Sequence, residues 1–189
     1  MSARSNVMDV EYTTCNVMLN ESHWIDSDII AELNGTKHED FYTMRKCRVY
    51  VDGVYDLFHY GHAEMLGRVR AHFGSMAVII AGVARDEDCM KYKRRPILTQ
   101  EERARSLRAC RYVDEVIEGA PWVITQDFLD AQAIDYVCHD EASYPAADGT
   151  CGDIYEYVKS VRKFVAIERT PSISTSDIIE RIRLNFNKV

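Results

Sequence analysis

The sequence has no apolar run approaching the roughly 20 residues needed to span a bilayer. Residues 1–12 lack the basic start and apolar block of a secretory signal. Both absences lead to the expectation of a cytoplasmic protein. Paired cysteines are missing as well. The six, Cys15, Cys47, Cys89, Cys110, Cys138 and Cys151, form no CxxC and do not cluster. They read as reduced cytosolic thiols, several of them core packing. No GxGxxG follows the first expected strand, which argues against a coenzyme-binding Rossmann module. Repeats and low-complexity segments are also absent. Positive charge is in the minority, and the net charge is −7. A chain this acidic does not attract nucleic acid or an anionic membrane as a whole, so any phosphate binding must be local.

The chain has 189 residues, 47% hydrophobic and 28% charged, which suits one globular domain with an appendage. Residues 1–44 are polar, acidic in places and without a sustained period. They read as an N-terminal extension, with a short helix expected at 27–34 and stopped by Gly35. Two readings stand side by side: an arm packed on the domain or on a partner subunit, and a partly disordered tail.

Residues 45–189 read as a single domain. Strands are expected at 49–51, at 77–83 (AVIIAGV, a run suited to burial on both faces), at 113–117, at 134–138 and at 164–167. Helices are expected at 63–73, from the capping box Thr99-Gln100-Glu101-Glu102 to about 110, at 125–132 and 153–162, and from the Ser174–Asp177 cap to about 186. This alternation predicts an α/β fold, a parallel sheet with helices on both faces. Ligands of such sheets bind at the carboxyl ends of the strands. The strand-to-helix corners are therefore where chemistry is expected, at 52–62, 83–99, 119–125, 139–152 and 168–177.

The first corner contains His59-Tyr60-Gly61-His62. A helix start offers N–H groups and a positive dipole end to an anion, and two imidazoles beside it can donate to phosphate oxygens. The rival reading of His-x-x-His is a metal half-site, for which His139 is the obvious further ligand. The last corner, Arg169-Thr170-Pro171-Ser172-Ile173-Ser174-Thr175-Ser176, joins a guanidinium, a run of hydroxyls and a helix start. The second corner holds Lys91, Lys93, Arg94 and Arg95. Such a loop is either solvated surface or one side of a triphosphate clamp.

Five segments in order give the sequence a close resemblance to the cytidylyltransferases, and within them to those acting on phosphocholine. They are VDGVYDLFHYGH (51–62), LTQEER (98–103), CRYVDEVIEGAPWVIT (110–125), IDYVCHD (134–140) and RTPSISTSDII (169–179). The resemblance implies a Rossmann-like nucleotidyltransferase domain, a homodimer, and Mg²⁺ arriving with CTP rather than on protein side chains. It implies the reaction of CTP with phosphocholine to give CDP-choline and pyrophosphate, in phosphatidylcholine biosynthesis. By this similarity His59, His62, Lys93 and Arg169 are the catalytic residues. Gly61, Arg111, His139, Asp140, Thr170, Ile173, Ser174 and Thr175 surround CTP. Asp52, Lys93, Trp122, Tyr144 and Tyr155 receive phosphocholine.

A quaternary ammonium donates no hydrogen bond, so aromatic faces and a carboxylate must recognise it. The aromatic set argues against ethanolamine phosphate and, more strongly, against glycerol 3-phosphate. Loss of His59, His62, Lys93 or Arg169 would mark a non-catalytic nucleotide-binding subunit, and all four are present. Two residues depart from the family pattern. Ser172 stands where glycine is usual, and Arg94 replaces the glycine that often follows the lysine. The segment from His139 to Tyr155 is also slightly longer than usual. No basic amphipathic stretch follows the last expected helix, so lipid-independent activity is expected. A several-fold rise in activity with anionic vesicles would overturn that expectation.

Overall fold

The computed structural model describes residues 45–141 and 152–186. The expected helix at 27–34, the extension at 1–44 and Tyr144 lie outside these residues. Five strands, β1 (Arg48–Gly53), β2 (Val78–Ala84), β3 (Glu115–Ala120), β4 (Tyr136–His139) and β5 (Phe164–Ala166), form one sheet in the order β3-β2-β1-β4-β5. Every pairing is parallel. Six helices accompany them: α1 (Tyr60–Phe73), α2 (Asp86–Tyr92), α3 (Gln100–Arg108), α4 (Gln126–Ala131), α5 (Glu156–Ser160) and α6 (Thr175–Phe186). The first strand is central, and the order reverses beside it. That reversal opens the crevice at which doubly wound sheets bind ligands.

Strand geometry explains why the apolar runs are continuous. Successive side chains point to opposite faces. Val49 and Val51 of β1, with Ile79, Ala81 and Val83 of β2, pack on Leu66 and Val69 of α1 and Leu107 of α3. Tyr50 and Ile80 point the other way and pack with Leu129 of α4, Ile134, Val137 and Val158 of α5. Gly82 makes room for this second layer, since a Cβ there would meet the Tyr50 hydroxyl at 2.1 Å. Each fully buried branched side chain contributes about 1.5–3 kcal/mol.

Among the described residues the expected strands and helices are present, with bounds shifted by at most three residues. One element was not expected. The 83–99 corner contains α2, whose first turn is Asp86, Glu87 and Asp88 and whose last turn carries Lys91. Those charges complement the helix dipole. The α5 helix is shorter than the 153–162 expectation, and the left-handed Arg162 (φ 57°) follows its end.

The TQEER segment forms α3 with its capping box. The Thr99 hydroxyl accepts from Glu102 N–H, and the Glu102 carboxylate accepts from Thr99 N–H at 2.8 Å. The same segment delivers Arg103, which is 0% exposed. Its guanidinium donates to the carbonyls of Val54 (2.6 Å) and Ala84 (2.8 Å) and to the Asp86 carboxylate (2.6 Å). One side chain thus fixes the corners after β1 and β2 to α3. Removing the buried guanidinium leaves the carbonyls of Val54 and Ala84 without this donor and opens a cavity, whereas the partly exposed Asp86 can turn to water. Arg103→Ala should therefore lower the unfolding free energy by roughly 2–4 kcal/mol, read as a fall in urea midpoint at unchanged slope. A loss below about 1 kcal/mol would refute this role.

Candidate active site

A cavity of about 440 Å³ opens at the carboxyl ends of β1, β4 and β5, a size typical of small-ligand sites. The first corner builds its floor. His59 is the N-cap of α1. Its Nδ1 accepts from Gly61 N–H at 3.1 Å, and Nδ1 of His62 accepts from His59 N–H at 3.4 Å. This is a capping box made of two imidazoles. Because both Nδ1 atoms accept, each neutral ring carries its proton on Nε2. The rings stack at 3.9 Å and 21°. Near-parallel rings with Nδ1 engaged do not converge on one ion, and no group of three or more His, Cys, Asp or Glu gathers as a metal site among the described residues. The arrangement suits hydrogen-bond donation to an oxyanion. Burial is the main cause holding both histidines below the usual imidazole range, with His62 at about 3. Phe58 and Tyr55 pack against the His62 ring at 5.6 and 5.4 Å.

The 169–176 loop closes on this floor. Thr170 Oγ1 donates to the Gly61 carbonyl at 3.2 Å. Arg68 of α1 donates to Thr170 Oγ1 and, at 3.1 Å, to the Glu168 carbonyl. Gly61 is obligatory, because a Cβ there would stand 2.6 Å from the Ile173 methyl. Ser172, at φ 63°, takes the left-handed conformation that favours glycine, so the loop keeps that turn despite the serine. The hydroxyls at the start of α6 serve structure. Ser174 Oγ accepts from Asp177 N–H (3.2 Å) and donates to the Asp177 carboxylate (2.6 Å). Thr175 Oγ1 donates to the Asp56 carbonyl at 2.8 Å. The anion-binding capacity of this corner therefore rests on first-turn N–H groups and on Arg169, which also lines the cavity.

The 93–98 loop forms the third side. The buried Asp56 carboxylate, 2% exposed, accepts from Ile97 N–H (3.0 Å) and Leu98 N–H (2.9 Å). That anchor brings Lys93 and Arg94 to the cavity. Burial pushes the Lys93 ammonium down, and Asp52 partly restores it.

A recess adjoins the cavity and shares Asp52, Gly53, Val54, Lys93 and His139 with it. Trp122 and Tyr155 complete the recess. The Tyr155 hydroxyl donates to both oxygens of Asp52, at 2.8 and 3.0 Å. His139 stacks on Tyr155 at 4.8 Å, and Tyr92 stacks on Trp122 at 5.1 Å. Burial pushes the Asp52 carboxyl up, against the pull of His139, the Tyr155 hydrogen bond and Lys93. The recess is small, about 40 Å³, and brings a buried carboxylate beside the Tyr155 hydroxyl and the Trp122 side chain.

His59, Gly61, His62, Lys93, His139, Asp140, Arg169, Thr170, Ile173, Ser174 and Thr175 meet at the larger cavity, while Asp52, Lys93, Trp122 and Tyr155 meet at the recess. Arg111 lines neither within the single chain; it lies ahead of β3, exposed, and donates to the Tyr112 hydroxyl at 2.7 Å. Asp56, Arg68, Tyr92 and Arg103 were not singled out from sequence. Only Tyr92, an aromatic next to Lys93, carried a local signal. The others act across 41 to 102 residues of chain.

Residues 50–181 match the cytidylyltransferase-like family. The chain is 46% identical over 144 residues to choline-phosphate cytidylyltransferase 2 of Arabidopsis thaliana, covering 76% of this chain and 47% of that protein. To choline-phosphate cytidylyltransferase A of Homo sapiens it is 42% identical over 143 residues, 76% of this chain and 38% of that one. An ethanolamine-phosphate cytidylyltransferase of Dictyostelium discoideum is 41% identical over 137 residues, 72% of this chain and 37% of that one. The chain thus spans less than half the length of these relatives. The crystal structure of a lipopolysaccharide core biosynthesis protein from Thermoplasma volcanium shares the fold, with a TM-score of 0.52 and 20% identity over 66% of this chain and 98% of that one.

The imidazole pair makes a pH prediction. His62 titrates near 3 in the folded protein and near 6.5 in the unfolded chain. As pH falls from about 6.5 towards 3, the unfolded state takes up this proton first. The unfolding free energy should therefore decline over that window, less steeply in His62→Gln. Nitrogen-15 NMR of the imidazoles should show His62 as the neutral Nε2–H form down to about pH 4. A midpoint near 6 would refute the geometry.

Proposed function

This chain belongs to the cytidylyltransferase-like family, and on that premise we propose that it joins CTP to phosphocholine, giving CDP-choline and pyrophosphate. The observation that carries this reading is the juxtaposition of two receptors. A cation- and imidazole-lined cavity, suited to a triphosphate, adjoins a recess of about 40 Å³ where Asp52, Trp122 and Tyr155 supply the carboxylate and aromatic rings by which a trimethylammonium is recognised. Lys93 belongs to both.

In this mechanism a phosphocholine oxygen attacks the α-phosphorus of CTP in line, and pyrophosphate leaves. The chemistry asks for position and charge neutralisation more than for covalent help. Lys93 holds the acceptor phosphate against the α-phosphate. His59 and His62 donate from Nε2 to the oxygens on which charge grows. Neutral and with Nδ1 engaged, each ring presents a single donor, Nε2–H. Arg169 and the first turn of α6 hold the departing phosphates, while His139 and Asp140 face the nucleotide. Mg²⁺ belongs to this reading as a companion of CTP, since the described residues gather no metal cage of their own. It would offset the triphosphate charge. Asp52 as a carboxylate complements the choline cation, and the cation in turn favours the ionised form that burial opposes.

The reading includes a homodimer and a cytoplasmic setting. Free thiols at Cys89, Cys110 and Cys138 suit a reducing compartment. Ethanolamine phosphate is the alternative acceptor, given the 41% identical relative.

The test is pyrophosphate release from CTP and Mg²⁺ with phosphocholine, phosphoethanolamine or glycerol 3-phosphate offered separately. Phosphocholine should give the highest kcat/KM. Release with none of them defeats the enzyme reading, and preference for phosphoethanolamine defeats the choline one. Trp122→Ala should mainly raise the KM for phosphocholine, by about tenfold or more. His62→Ala should mainly lower kcat, by about a hundredfold or more.

A further inference from the structure

The loop that brings Lys93 to the cavity carries a second cation, Arg94. Its side chain is 42% exposed and stands 3.4 Å from Oδ2 of Asp56. That separation is longer than the roughly 2.7–2.9 Å of a charge-assisted hydrogen bond. Asp56 does not depend on it, because Ile97 and Leu98 already supply two N–H donors. Arg94 can therefore leave without abandoning a bare buried charge.

Its position selects a target. Arg94 lines the large cavity but not the recess of Trp122 and Tyr155, whereas Lys93 lines both. The Asp56 carbonyl accepts from Thr175 at 2.8 Å, so the resting place of Arg94 adjoins the first turn of α6. Arg94 thus faces the anion-binding helix start and is turned away from the choline end. Guanidinium is the side chain best shaped for bidentate phosphate binding.

We propose that Arg94 is a ligand of the β- and γ-phosphates. It exchanges Asp56 for phosphate oxygens when the triphosphate enters and returns when pyrophosphate departs. Asp56 keeps the unliganded guanidinium close to its target without competing strongly for it. The inference rests on the cytidylyltransferase reading only in taking a triphosphate as the anion.

The test uses the full chain and Mg²⁺-pyrophosphate alone, by titration calorimetry, so that no acceptor is needed. Arg94→Gly should weaken pyrophosphate binding by about tenfold, the scale of one charge-assisted contact, with Arg94→Lys intermediate. The KM for CTP should rise in parallel and that for phosphocholine should not. If Arg94→Gly melts early, Arg94→Gln serves in its place. Unchanged pyrophosphate affinity, or equal rises in both KM values, would overturn the proposal. Wild-type protein that binds pyrophosphate but turns over no acceptor would defeat the reaction and leave Arg94 standing.

Discussion

The buried carboxylate of Asp56 faces two backbone N–H groups, and its own carbonyl faces a hydroxyl. Through these bonds three segments far apart in the chain are held together: the corner after β1, the loop after α2 and the start of α6. A carboxylate taken out of water costs several kcal/mol unless its lone pairs are satisfied. The bonds are therefore obligatory for the fold, and they place Lys93, Arg94 and Thr175 as a by-product. Tyr55 (φ 55°) and Leu57 (φ 46°) flank Asp56 in left-handed conformations that L-residues adopt at a cost. Such backbone persists where the surroundings over-determine it, and Arg103 beneath Val54 supplies part of that constraint.

The site then follows from two contrasting uses of burial. In the large cavity, burial keeps the imidazoles uncharged beside cations, so the pair acts through oriented N–H dipoles and leaves net charge to Lys93, Arg94 and Arg169. In the recess, burial destabilises a carboxylate that aromatic rings surround. The carboxyl ends of the strands thus bring a cation-lined cavity and a carboxylate-bearing recess side by side, with Lys93 between them.

Much of this was legible in the sequence, for local reasons. Continuous apolar runs such as 77–83 reveal the sheet because a strand buried on both faces needs every residue apolar. The Thr99–Glu102 box and the 174–177 cap are contacts within one turn. The HxGH and Arg169 corners announce themselves by residue type. The rest depended on tertiary geometry. Asp56 sits in a quoted motif, yet a carboxylate at a phosphate corner makes sense only once its N–H partners are placed 41 residues away. Ser174 and Thr175 read as ligands by their hydroxyls, and their added tasks, the cap and the bond to the Asp56 carbonyl, appear only in three dimensions. Arg111 sits in a motif that resembles the family, and its place ahead of β3 follows from the strand direction alone. Helix α2 went unseen because its seven residues are too short for a clear period.

The corner after the central strand takes its partners at separations of 41, 103, 109 and 119 residues. Contacts so far apart in sequence form slowly. The three sides of the cavity therefore close together, once the segment that carries α6 has met the corner after β1, and no shorter stretch of this domain holds the floor, the loop and the helix start at once.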